Sequence, residues 1–289
     1  MKETKIFKQV NNCSINADIY YQGRNSPVII YIHGGGLIAG TRAWMSLEQI
    51  EYFCQAGFSV VNIDHRLAPE TKLESIVEDI RDALEWARTK ATEWYDFNTN
   101  NIALFGKASG GYLSLLIGTM DIKPKAIVSC FGHDILGEWA TKPSEHFRQQ
   151  YEIVDKQSAY QFIGEKEITD GQWEERGNLL FYCFQQGVWV NEVTGFDPAN
   201  DYNKLTQYSP IHNITAEYPP TLFLHGDKDK ITPYEQSVMM YKKLQEHGVY
   251  TELITIEGAD HDFDRNFHDP MVQRAFQNVV DFLRTHLCK

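Results

Sequence analysis

The stretch that most limits how this chain can fold is Asn101-Ile-Ala-Leu-Phe-Gly-Lys-Ala-Ser-Gly-Gly111. Its apolar run stops at Gly106, a turn of small residues follows, and Tyr112-Leu-Ser-Leu-Leu-Ile117 continues as an apolar-rich segment. This pattern predicts a buried strand, a sharp turn and a helix. Gly106 and Gly110 bracket the turn, with Ala108 midway between them. Ser109 stands one place later, flanked by Lys107 and Gly111.

The same alternation of strand and helix runs through the rest of the chain. Residues 5–11 and 14–21 read as two short strands joined by a turn at Asn11-Asn12. Val28–Ile32 is a continuous β-branched run, the mark of a strand buried on both faces of a parallel sheet. A helix is expected over 46–56, closed by Gly57, and Phe58–Ile63 is the next strand. From Leu73 to Lys90, Leu73, Ile76, Val77, Ile80, Leu84 and Ala87 recur at helical spacing. Ala126–Cys130, Pro220–His225 and Thr251–Ile256 read as further strands. Helices are expected from Pro233 to Glu246 and over 269–286. Short connections between alternating elements predict an α/β fold, a mostly parallel sheet with helices on both faces.

The rhythm breaks over 137–205, a stretch that holds Trp139, Phe147, Tyr151, Tyr160, Phe162, Trp173, Phe181, Tyr182, Phe184 and Trp189. A structureless loop of that length is improbable. A small helical cap over the carboxyl edge of the sheet is expected instead, dividing the core into residues 1–136 and 206–289. Most of its rings are expected to pack within the cap, and a minority to line a pocket.

With 289 residues, 43% of them hydrophobic, the chain can bury one large core and carry such an insertion. Its net charge of -12 argues against non-specific binding to nucleic acid or to an anionic membrane. The amino terminus lacks the apolar stretch of a signal peptide and no 18-residue apolar segment occurs, so a cytoplasmic protein is expected. The cysteines 13, 54, 130, 183 and 288 show no zinc spacing and are expected as free thiols. No G-x-G-x-x-G opens the first βα unit, which argues against a dinucleotide-binding dehydrogenase. A homodimer is the base-rate expectation.

Three loops that follow predicted strands converge on one edge of a parallel sheet. His33-Gly-Gly-Gly36 lets backbone N–H groups approach a ligand closely, as needed to hold the negative oxygen of a tetrahedral intermediate. Leu224-His-Gly-Asp-Lys-Asp-Lys-Ile-Thr-Pro233 offers two acids. Asp229 lies deeper in the loop, where it can reach a histidine, and Asp227 reads as a turn former. Glu257-Gly-Ala-Asp-His-Asp-Phe263 places His261 directly after the last strand, as a candidate general base. Asp260 and Asp262 flank it and would favour its protonated form if close.

Taken together these motifs resemble an α/β-hydrolase of the hormone-sensitive-lipase and acetyl-esterase type. His33-Gly-Gly-Gly36 is similar to that family's oxyanion motif. Asp64-His-Arg-Leu-Ala-Pro-Glu70 is similar to its strand-end motif, with His65 where a Tyr usually stands. Gly106-Lys-Ala-Ser-Gly-Gly111 is similar to its nucleophile elbow, G-x-S-x-G, except at Ala108. The resemblance implies hydrolysis of carboxylic esters of small acyl substrates, without a cofactor or metal. It implies the nucleophile position at Ala108, the triad acid and base at Asp229 and His261, and oxyanion N–H groups from Gly35, Gly36 and Ser109. It also implies that Arg66 and Glu70 hold the loop near the oxyanion turn. The insertion at 137–205 stands where the family often carries a cap before the first strand. In this respect the chain resembles feruloyl esterases and kynurenine formamidases.

A methyl group can neither attack a carbonyl nor hydrogen-bond His261, so this chain is expected to be largely inactive. Two explanations stay open, an introduced Ser→Ala change and a natural pseudo-hydrolase that keeps the pocket as a binding module. Ser109 as a shifted nucleophile is the weaker alternative, because the elbow aims position 108 at the pocket.

Overall fold

The computed structural model describes residues 2–288. One eight-stranded sheet runs through it in the order β1-β2-β4-β3-β5-β6-β7-β8. β1 (Lys2–Val10) and β2 (Cys13–Tyr20) form a hairpin whose turn residue Asn11 adopts a positive φ of 49°. β2 pairs antiparallel with β4 (Ser59–Ile63). All later pairings are parallel, through β3 (Val28–Ile32), β5 (Ile102–Lys107), β6 (Ala126–Cys130), β7 (Thr221–Gly226) and β8 (Thr251–Ile256). β3, β4, β5, β6 and β7 are buried along their whole length. Both faces of these strands are covered, which is why they read as unbroken apolar runs.

The two faces build separate cores. Val28, Ile30 and Ile32 point to one side and Ile29 and Tyr31 to the other. On the first side lie α2 (Leu73–Arg88) and α3 (Ser109–Ile117), with the six helical positions of α2 read from its periodicity all buried. On the second lie α1 (Leu47–Gln55) and the final helix, here α11 (Pro270–Leu287). α1 starts at the Ser46 cap, whose Oγ accepts the Gln49 N–H, and Gly57 at φ +97° closes it. Asp269 caps α11 and Pro270 opens it, where its missing N–H costs nothing.

A helical insertion lies between β6 and β7. It contains α4 (Glu138–Thr141), α5 (Glu145–Gln150), α6 (Lys156–Ala159), α7 (Trp173–Gln186) and α8 (Trp189–Thr194), with the short α9 (Tyr202–Leu205) leading back to the sheet. α10 (Glu235–Glu246) then packs on β7 and β8 through Met240 and Leu244. The insertion is bolted to the loop after β4. Arg176 of α7 is almost wholly buried, forks onto the Glu70 carboxylate at 2.9 and 2.7 Å, and donates to the Ile38 and Ala68 carbonyls. Arg66 forks onto Asp79 of α2 and pairs with Glu167 at 2.7 Å. Both guanidiniums are satisfied by several acceptors, the condition under which buried ion pairs are tolerated.

None of the five cysteines forms a disulfide. Among the described residues no helix is long and apolar enough to cross a membrane, and no cluster of His, Cys, Asp and Glu is placed to hold a metal ion.

Candidate active site

The loops that leave β3, β5, β6, β7 and β8 meet around one cavity of about 710 Å³. Parallel strands deliver their carboxyl ends to the same edge, so residues far apart in sequence share this cavity.

The turn between β5 and α3 brings Ala108 to its wall. Ala108 has φ 48° and ψ -118°, a conformation in which side chains are rare and which costs of the order of 1–3 kcal/mol. Its N–H donates to the Cys130 carbonyl at 3.0 Å, and its carbonyl accepts the Tyr112 N–H at 3.0 Å. The glycines on either side are required by space. A Cβ on Gly106 would collide with the Gly110 carbonyl, and one on Gly110 with the Ile32 carbonyl. Ser109 is fully buried and its Oγ accepts the Leu37 N–H at 3.2 Å, so its hydroxyl is engaged in holding the glycine turn.

That turn, Gly34 to Gly36, lies against the elbow and lines the same cavity. Gly35 adopts φ +100°, and a Cβ there would strike the Ala39 carbonyl. Among the described residues the N–H groups of Gly35 and Gly36 have no protein acceptor. The Ser109 N–H opens α3, where the first N–H groups of a helix lack intrahelical partners and carry its positive dipole end. Trp189 of the insertion donates its Nε1–H to the Gly36 carbonyl at 2.8 Å and fixes the turn from above.

His261 lies in the loop after β8 and lines the same cavity. Its Nδ1 is 2.7 Å from Asp229 Oδ2, and its ring packs on Phe131 with centroids 4.6 Å apart. The other oxygen of Asp229 accepts the N–H groups of Ile231 and Thr232, both at 2.9 Å. Oδ2 also accepts from Thr232 Oγ1 and lies 3.2 Å from His225 Nε2. Burial alone would push the Asp229 carboxyl upward, but His225 and His261 outweigh it and hold the group well below the usual carboxylate range. Burial opposes charge on His261 as well. The Asp229 hydrogen bond and charge overcome this and raise its pKa, helped by Asp262 and by Asp264. Asp260 acts otherwise, since its Oδ1 accepts the Lys230 and His261 N–H groups. Asp227 accepts the Gly258 N–H at 2.7 Å and so ties the β7 loop to the β8 loop rather than folding onto its own backbone.

Three features of the cavity escape a reading of the sequence. Lys107, beside Ala108, is buried in an ion pair with Asp264, and Gln49 bridges the two, bonding Lys107 Nζ at 2.8 Å and Asp264 Oδ2 at 2.9 Å. His133 lines the wall after β6. Seven of the ten aromatic residues named in the insertion border the cavity, and only Tyr160, Phe162 and Tyr182 do not. The expectation that only a minority would line a pocket is therefore corrected. The same rings pack on one another within the insertion, Phe147 on Tyr151, Phe181 and Phe184, and Trp139 on Trp189, so the insertion's aromatic core is itself the cavity wall.

The sheet order, the crossing helices and the insertion define an α/β-hydrolase fold. Within that class the chain belongs to the BD-FAE family, whose model matches residues 17–244. It is 26% identical over 99% of its length to the non-reducing polyketide synthase prhL of Penicillium brasilianum, and 27% identical, again over 99%, to the synthase ausA of Emericella nidulans. The chain spans only 14% of the length of these relatives. Among solved structures, a Staphylococcus aureus Mu50 protein of unknown function superposes with a TM-score of 0.80 at 23% identity, covering 99% of both chains. Esterase Est2 of Thermogutta terrifontis with bound propionate superposes with a TM-score of 0.70 at 22% identity, covering 98% of this chain and 93% of that one.

Proposed function

We propose that the cavity is a carboxylic ester hydrolase site for small acyl substrates whose nucleophile position is held by Ala108. The observation that carries this reading is the strained elbow. Ala108 keeps φ 48° and ψ -118° in a cavity wall it shares with His261, whose Nδ1 is tied to Asp229. An alanine gains nothing from that conformation, whereas a hydroxyl there would be aimed at the substrate. With serine at position 108, its Oγ would attack the acyl carbon while the free Nε2 of His261 takes its proton. Asp229 would orient the imidazole and stabilise its charged form. The N–H groups of Gly35, Gly36 and Ser109 would hold the oxyanion. The insertion, read as a cap, would close the site from water. No cofactor enters this scheme. Likeness to a propionate-bound esterase supports a small acyl group.

The test is Ala108→Ser, assayed beside the unchanged chain against p-nitrophenyl esters of increasing acyl length. A folded variant with no gain at any length would count decisively against the reading. The second reading is a binding module in which Ala108 is the working residue. The aromatic lining of the cavity favours it, since it needs no nucleophile to hold a ligand. Under that reading the unchanged chain binds a ligand in the cavity and Ala108→Ser adds no turnover.

A further inference from the structure

The wall of the cavity after β6 carries a group that the ester-hydrolase scheme does not use. β6 ends at Cys130, and three residues on His133 is almost wholly buried. Its ring is held on several sides. It stacks on Tyr112 with centroids 5.3 Å apart and planes 10° apart, and meets Trp139 and Trp189 edge-on at 4.6 and 5.4 Å. The loop that bears it is pinned through Asp134. The Asp134 carboxylate accepts the Ser209 hydroxyl at 2.7 Å and the Leu136 and Ile211 N–H groups, and its N–H donates to Gln236 Oε1. The imidazole is therefore preorganised, as a recognition group must be.

The direction of its hydrogen bonding follows from its partners. Nδ1 lies 3.2 Å from the Asp134 carbonyl, which can only accept, so the proton sits on Nδ1. Among the described residues Nε2 has no protein partner, and the ring borders the cavity. Burial pushes the pKa of this histidine down to about 3, against the Asp134 carbonyl and with His261 and His225 nearby, so the ring is neutral. A neutral imidazole protonated at Nδ1 presents an acceptor lone pair at Nε2. The surrounding wall, chiefly Trp139, Trp189 and Phe184, offers the substrate apolar contact.

We propose that His133 Nε2 is a specificity group that accepts a hydrogen bond from a hydroxyl or N–H carried by the bound acyl substrate. Once a bound substrate covers it, an acceptor left unpaired is costly, so such a site discriminates against the analogue that lacks the donor. The inference rests on the cavity being an ester site, and its test separates the two.

Binding to the unchanged chain, which on the ester-site reading does not turn substrate over, is measured by calorimetry for methyl 3-phenylpropanoate and its 2-hydroxy, 3-hydroxy and para-hydroxy forms. At least one hydroxylated ester is expected to bind about five- to tenfold more tightly than the plain one, the range of one net hydrogen bond. In His133→Phe, which keeps the stack and loses the acceptor, that ratio falls to near one. His133→Gln, which restores an acceptor oxygen, recovers part of it. A second measurement avoids substitution. In ¹⁵N-histidine spectra of the unchanged chain, the unprotonated Nε2 signal of His133 moves with the preferred hydroxylated ester and not with the plain one. Binding without any hydroxyl preference, or a preference that survives in His133→Phe, overturns the inference and leaves the ester-site reading standing. No binding of any of these esters overturns the inference as well, and turnover by Ala108→Ser then decides the ester-site reading by itself.

Discussion

One oxygen of Asp229 serves two imidazoles, with Oδ2 lying 2.7 Å from His261 Nδ1 and 3.2 Å from His225 Nε2. His225 is itself fixed, with Nδ1 2.7 Å from Ser237 Oγ and Nε2 3.0 Å from the Thr232 carbonyl. The carbonyl requires the proton on Nε2, so His225 also donates toward Asp229. The carboxylate is thus held from the strand side by His225 and offered to His261 on the cavity side.

The elbow leads to the first prediction. Ala108→Ser gains at least about a thousandfold in ester turnover, given that loss of a nucleophile in a serine hydrolase costs up to about 10⁶. Ala108→Gly gains none, yet stabilises the fold by about 1 kcal/mol, because glycine accepts a positive φ without strain. Thermal unfolding of the two variants checks this, and an unchanged midpoint for Ala108→Gly would show that the turn is not strained.

The second prediction concerns pH. The raised pKa of His261 means that the neutral base form in Ala108→Ser appears only above the ordinary histidine range, so the acid limb of kcat/KM lies higher than an unperturbed histidine would place it. Asp229→Asn removes the main raising influence. The limb then moves to lower pH while the plateau falls by roughly 10⁴. Stability follows linkage. The His261 contribution is complete below its unfolded value of about 6.5 and is lost as pH rises through the raised folded value. The contribution of the depressed Asp229 carboxyl is complete above its unfolded value of about 4 and is lost only in strong acid. Unfolding curves across pH check both directions.

A third prediction follows from the buried pair beside the elbow. Lys107→Met strands the Asp264 carboxylate, which is 2% exposed, and costs about 3–5 kcal/mol. Adding Asp264→Asn removes the stranded charge and recovers most of the loss, since Gln49 can still bond the amide. Equal instability of the single and double variants in urea would show that packing of the Lys107 stem, rather than its charge, is what matters.

The fourth prediction tests how the insertion is held. Arg176→Met leaves Glu70 and the carbonyls of Ile38 and Ala68 without their donor. Limited proteolysis is expected to cut within 138–194 well before global unfolding, whereas the unchanged chain resists. Arg176→Lys rescues poorly, because one ammonium cannot reproduce the fork. Cleavage patterns that match those of the unchanged chain would remove Arg176 as the anchor.

The sequence alone determined the order of strands and helices in the core and the place of the sharp turn at Ala108. These are local matters. A strand buried on both faces must be apolar throughout, and a turn pressed between carbonyls admits only glycine, so Val28–Ile32, Gly106 and Gly110 announce themselves. The approach of Asp229 to His261 was legible too, because parallel topology sends both loops to one edge. What only the tertiary structure decided is which polar groups meet in the cavity wall. Asp264 finds Lys107 and Gln49 across the sheet edge, and His133 takes its orientation from Tyr112, Trp139 and Trp189 on three other elements. Such partners share no spacing in the chain. They are selected by burial, which forces every enclosed charge and donor to find whatever acceptor the packed fold brings within reach.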